Sequence, residues 1–403
     1  FFLDGQRPVA EWPAQWLAYT LADCIVLTKD EWETAPPGVR DALLGFLQAG
    51  GHLFLAGAGE ADLERYAVPV GFGALSALSS PVPEEWTEDD FESLREAVVR
   101  SGGSLWRFLL QEGRTFPTER LFPLPRLIPV YVVLFCVMIL LGPVLLVVLA
   151  RRNIRIRIYW LAPGIAGAVS AVILACALAR DGVSPVTHAQ SVLYVSGKAQ
   201  THVQLATLSI MAPAGLSSPL HFGPSVEVTP TRQGGDGAVS GVRTVRSDGA
   251  DTVLSSGWVG VRVPITFLLR DAGVQGVPAL SPDASATVTN PYPVPIRKLL
   301  YCDAESNCFV LDAPLAPGAT VSLTPCPGVS GTMLDVVEDV KHTFFSGVPL
   351  DEASGAYLAL PPKHLLPPKM YLCELEGTPF LQHPLRKGSV RHTGKTLMLG
   401  ELP

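Results

Sequence analysis

Cysteine and histidine are the residue types here whose spacing could carry chemistry. Cys302 and Cys308 enclose Asp303-Ala304-Glu305-Ser306-Asn307, a turn-forming set between two apolar runs. In an oxidising compartment the pair would close a hairpin, worth about 2–3 kcal/mol for so short a loop. A zinc pair would need further ligands, and no Cys or His stands at zinc spacing nearby; two free thiols are the third option. Cys326 and Cys373 are a further possible pair that spacing does not assign. His188, His202, His221, His342, His364, His383 and His392 are scattered without triad spacing, so packing or surface roles are expected for each. No metal or cofactor is expected. In the N-terminal part Cys24 and His52 each begin an apolar run, and no glycine-flanked nucleophile follows, so nucleophile and base do not assemble from the sequence. Gly57-x-Gly59 supplies two glycines of a dinucleotide fingerprint, but Asp62 stands where the third would be. A plain strand-end turn is the expectation there, with an anion site at a helix N-terminus as the alternative.

These residues need elements to hold them. Ala22 to Thr28 is a short apolar run suited to a buried strand. Pro36-Pro37 opens a helix with Val39, Leu43, Phe46 and Leu47 on one face, and Gly50-Gly51 stops it. His52 to Ala56 is a second strand, so the unit reads as βαβ with parallel pairing. Thr87 and Asp90 have capping-box spacing before an amphipathic helix from Glu88 to Val99. Residues 1–120 are thus a small Rossmann-like α/β domain. Phe1-Phe2-Leu3-Asp4-Gly5 has no initiator Met, basic segment or long apolar stretch, so residue 1 is expected to lie inside a longer precursor or to follow a cleavage.

The chain has 403 residues, 48% hydrophobic and only 17% charged, against about 25% charged in a typical globular domain. Its net charge of −7 excludes a basic nucleic-acid binder. The apolar excess concentrates in 128–150 and 158–179, each long enough to cross about 30 Å of hydrocarbon and free of charge. Between them, 151–157 carries Arg151, Arg152, Arg155 and Arg157, which sets a cytoplasmic tip. A two-helix transmembrane hairpin follows, with both polar regions outside the cytoplasm. Gly167, Ala171, Ala175 and Ala179 share one face of the second span, either packing on the first span or seating a partner's helix. Neither span contains an acidic, basic or His side chain that would mark a proton or ion path.

From 185 to 403 β-branched alternation takes over, as in Ser191–Ser196 and Trp258–Val263, broken by Gly, Pro, Ser and Asp clusters. Ser285–Thr289, Asn290-Pro291-Tyr292-Pro293 and Leu315–Val321 give the order of an immunoglobulin-like antiparallel β-sandwich. The stretch from Gly223 to Thr252 reads as a mobile insertion. Phe380 and Leu381, beside prolines, read either as a binding edge or as core. The expected fold class is an α+β membrane protein: α/β domain, hairpin, sandwich.

Asp23-Cys24-Ile25-Val26-Leu27, Pro36-Pro37-Gly38-Val39-Arg40-Asp41-Ala42-Leu43 and Gly50-Gly51-His52-Leu53 resemble the class I glutamine-amidotransferase-like domain of a bacterial envelope protein family. Pro129, Gly142-Pro143-Val144, Arg151-Arg152, Trp160, Pro163 and Asp181-Gly182 resemble that family's membrane segment, although Leu145-Leu146 replaces its frequent Asn-Tyr. Leu360–Leu381 resembles its closing strands. Active amidotransferases place a Cys at a glycine-flanked elbow, where this chain offers Ala58. The resemblance therefore implies a degenerate, non-catalytic domain. It also implies membrane or envelope protein partners such as MoxR-type ATPases with von Willebrand A partners, or ABC-transporter components. With the hairpin, it implies a place in the bacterial inner membrane with both soluble domains on the periplasmic side, and the expected function is a non-catalytic structural or adaptor subunit of a membrane assembly, in contact with the lipid bilayer and with no nucleic acid. One alternative is a hydrolase or amidotransferase-like enzyme whose catalytic residues lie outside this chain. Another is an accessory subunit of an export or transport system.

Overall fold

The computed structural model describes residues 8–22, 24–59, 62–63, 72–102, 158–181, 184–197, 201–213, 216, 218–230, 244–247, 251–255, 257–261, 263–280, 282–283, 286–325, 369–385 and 390–402, with isolated positions from 135 to 151. Near the N-terminus lie β1 (Cys24–Thr28), α1 (Lys29–Thr34), α2 (Pro37–Gln48), β2 (His52–Ala56), β3 (Ala74–Leu78) and α3 (Glu88–Gly102). The three strands pair in parallel in the order β1-β2-β3. Thr28 and Glu31 form a capping box that starts α1 directly at the end of β1. Pro37 opens α2, where its missing N–H costs nothing, and Gly50 at φ 105° ends it. Val39, Ala42, Leu43, Phe46 and Leu47 fall on one stripe of α2, and all are buried.

After α4 (Ile158–Asp181) come β4 (Val186–Val195), β5 (Thr201–Met211), β6 (Leu220–Phe222), β7 (Val226–Pro230), β8 (Val245–Ser247), β9 (Thr252–Leu254) and β10 (Ile265–Gln275). The remaining strands are β11 (Thr287–Thr289), β12 (Ile296–Cys302), β13 (Cys308–Val310), β14 (Thr320–Ser322), β15 (Thr324–Pro325), β16 (Met370–Glu376) and β17 (Arg391–Glu401). Nine of them form one sheet, β15-β13-β12-β16-β17-β4-β5-β10-β7, antiparallel except where β17 lies parallel to β4. Small sheets β11-β14 and β6-β9-β8 stand apart from it.

The large sheet is a middle layer. On one face Val192, Tyr194, Val203, Leu205, Leu397 and Leu399 share a core with Leu43, Phe46 and Leu47 of α2 and with Trp16 and Tyr19. On the other face Leu193, Val195, Tyr371 and Met398 pack with Val288 of β11, and Leu208 and Phe267 pack with Leu220 and Phe222 of β6. The 377–385 segment crosses that second face, with Phe380 against the first of these clusters and Leu381 and Leu385 against the second.

This architecture corrects the expected fold class. Among the described residues the strands do not divide into two comparable sheets of an immunoglobulin-like sandwich. β4 is buried on both faces at Val192 to Val195, so it reads as a continuous apolar run instead of the alternation of a half-solvated strand. Among the described residues of Trp258–Val263 no strand forms: Trp258 turns inward against Phe267, 6.3 Å between ring centres, while Val261 and Val263 stay exposed. The Gly223–Thr252 stretch contributes β7 to the large sheet and β8 to a small one, with 231–243 outside the described residues.

The transmembrane hairpin is corrected as well. Among the described residues no helix is long and apolar enough to cross a membrane, where about twenty consecutive apolar residues would be needed. The first expected span, 128–150, lies almost wholly outside the described residues. The second is seen as α4, with a proline inside it at Pro163 and with only part of its side chains described. The inner-membrane location, its periplasmic orientation and the envelope setting rested on that hairpin and have no support from the described helices.

Candidate functional site

In an open parallel sheet, ligands bind beyond the carboxyl ends of the strands. Here that corner is made by Thr28, the start of α1 and the turn Gly57-Ala58-Gly59. It is closed by the chain itself. Lys29 Nζ lies 2.8 Å from Asp62 Oδ1, and Gly59 N–H donates to Asp62 Oδ2 at 3.1 Å. The backbone N–H and the ammonium that would greet an anion thus already hold a carboxylate. Gly57, at φ 77°, turns tightly against Pro81, which a Cβ there would meet at 3.0 Å. The residue that breaks the glycine fingerprint is the residue that fills the corner.

The amino ends of the same strands hold a second group. Parallel register sets Cys24 directly opposite His52, and His52 opposite Ala74. Ile25, Leu27, Leu53 and Leu55 face the large sheet, so Cys24, Val26, His52 and Phe54 share the face covered by Trp86 and Leu94. His52 Nε2 is 3.0 Å from Ser76 Oγ, and its ring lies flat on Phe54, 4.4 Å between centres and 2° between planes. Cys24, His52 and Ser76 are each half-buried. Sequence reasoning set Cys24 and His52 aside because no glycine-flanked nucleophile follows either of them. The signal was their shared place as first residue of neighbouring parallel strands.

The helix over that face begins at a capping box: Asp90 N–H donates to Thr87 Oγ1 at 3.3 Å, and Thr87 N–H donates to Asp90 Oδ2 at 2.8 Å. Burial opposes charge on Asp90, but bonds from Ser79 and Thr87 outweigh it and hold the carboxyl down at about 2.

Across the second face of the large sheet, the rings of His383 and His392 lie 3.6 Å apart between centres, tilted by 32°, and Thr187 Oγ1 is 2.6 Å from His392 Nδ1. Burial, then the neighbouring His392, pushes His383 down to about 4; burial also lowers His392. Nearby, a cavity of about 10 Å³ is lined by Gln204, Phe222, Asp271 and Gln382, large enough for about one water. Burial raises the Asp271 carboxyl despite bonds from Ser225 and Gly273. Among the described residues no group of three or more His, Cys, Asp or Glu is placed to hold a metal ion.

The other expected positions are dispersed. Cys302 and Cys308 are disulfide-bonded, closing the β12–β13 hairpin with 4.3 Å between Cα atoms. Cys373 is a buried free thiol pushed up by burial, and Cys326 lies outside the described residues. Gly167, Ala171 and Ala175 are exposed on α4, and a Cβ at Gly167 would meet nothing within 4 Å. Ala179 is on the same helix. Arg151 is exposed, while Arg152, Arg155, Arg157, His342 and His364 lie outside the described residues. His188 bonds Thr393 at 3.0 Å, His202 is buried in β5, and His221 is 3.7 Å from Asp251. No family model matches the chain, and no curated protein matches it.

Proposed function

We propose that the protein is a non-catalytic adaptor, a structural subunit that binds other proteins and whose α/β layer serves the fold instead of turning over a substrate. The observation that carries this reading is the self-filled corner at the carboxyl ends of β1 and β2, where Asp62 takes both the Lys29 ammonium and the Gly59 N–H. A second support is the apolar stripe of α2, which is spent on the large sheet. Contacts to partners fall to exposed apolar side chains, Val82 ahead of α3 and Phe91 within it.

Calorimetric titration of the full chain tests the reading, with inorganic phosphate, a nucleoside diphosphate and glutamine as probes. The wild type is expected to bind none of them and to release no ammonia from glutamine. Asp62→Ala uncovers Lys29 and the Gly59 amide, and this variant is expected to gain weak phosphate binding. Nucleotide binding or glutamine turnover by the wild type would overturn the reading. On the positive side, light scattering of the complex isolated from its source should give the mass of a fixed-ratio assembly with another protein, which Phe91→Asp breaks without unfolding the chain.

A further inference from the structure

We propose that Cys24, His52 and Ser76 form a thiol–imidazole–hydroxyl row that makes Cys24 a modification site for small disulfides. The proposal does not rest on the adaptor reading. Three observations carry it. First, the parallel register places Cys24 and His52 side by side on one face of the sheet, with strands about 4.8 Å apart. Second, the imidazole is held in one orientation, bonded to Ser76 on the β3 side and stacked on Phe54, with Cys24 flanking it on the β1 side. Third, Cys24 is half-buried, unlike Cys373, which is 1% exposed.

An imidazole beside a thiol accepts its proton and stabilises the thiolate, the form that attacks. In the exchange the Cys24 thiolate forms a new S–S bond to one sulfur of the disulfide reagent. The reagent's own S–S bond breaks, its second sulfur leaves as a thiolate, and the thiol proton passes to His52. No further oxidant is required. The row sits at the amino ends of the strands, so it is separate from the corner that Asp62 fills.

The test is the pH profile of Cys24 reaction with 4,4′-dithiodipyridine on the full chain, with each modified cysteine assigned by mass spectrometry. Cys24 is expected to reach half its maximal rate well below the ordinary thiol value of about 8.5. His52→Gln is expected to return the midpoint toward that value and to slow reaction at neutral pH by about tenfold, because the thiolate fraction falls about tenfold when the midpoint rises by about one pH unit. Ser76→Ala should move it in the same direction by less. Protection of Cys373 reports that a variant is folded; where His52→Gln exposes Cys373, the wild-type profile alone decides. A wild-type midpoint near the ordinary thiol value, an unreactive Cys24, or a folded His52→Gln with an unchanged profile would each overturn the proposal.

Discussion

At the scale of single residues, two groups give the protein separate pH windows. His383 has a folded value of about 4, set first by burial and then by His392, against about 6.5 when unfolded. The neutral ring is favoured in the fold, so its stabilisation is full above the unfolded value and is lost as pH falls from about 6.5 toward 4. The loss amounts to about 2 kcal/mol after allowance for partial exposure. Urea midpoints measured from pH 7 to 4.5 should fall, and His383→Gln should flatten that fall; parallel slopes in both proteins would contradict it. Asp90, held at about 2, acts in a lower window, with stabilisation present above about pH 4 and lost as pH drops through 2. Asp90→Asn is expected to cost about 1–2 kcal/mol at neutral pH, read as a lower urea midpoint. The Thr87–Asp90 box was legible because it is local. The Cys24–His52 register pairing was not, because strand register is a tertiary property that no spacing rule reports.

At the scale of elements, the seat of α2 is the most exposed to test. Gly45 faces Trp16 and Ala272, where a Cβ would stand 3.1 Å and 3.4 Å from theirs, and Trp16 Nε1 donates to Ser225 O at 3.0 Å. Gly45→Leu should wedge helix and sheet apart at about 1–3 kcal/mol, seen as a lower melting temperature; an unchanged one would show that α2 is not seated there. Gly394 is tighter, since a Cβ there would fall 2.0 Å from Ala189 O across the parallel β17–β4 pair. α2 itself was readable from Val39, Leu43, Phe46 and Leu47, whose spacing names the buried face. What that face meets was not readable, because its partners Val192 and Leu397 lie far along the chain.

At the scale of the whole molecule, the centre of the large sheet pairs β4 with β17, Arg391 opposite Val186 through Gly400 opposite Val195. A pairing across some two hundred residues leaves no local trace, which is why a sandwich of sequential strands was the natural reading of 185–403. The same distance hid the core that Leu43, Phe46 and Leu47 of α2 share with Val192 and Leu397 of the large sheet. The central claim is that the α/β layer is a structural part of the sheet. Native-state hydrogen exchange, resolved by peptide, tests it most directly, with Trp16→Ala as the perturbation at an expected cost of about 3 kcal/mol or more. The account predicts that the slowest amides of β2 and of β4 open with one common free energy and that Trp16→Ala lowers both by the same amount. A variant that loosens β2 while leaving β4 unchanged would contradict it.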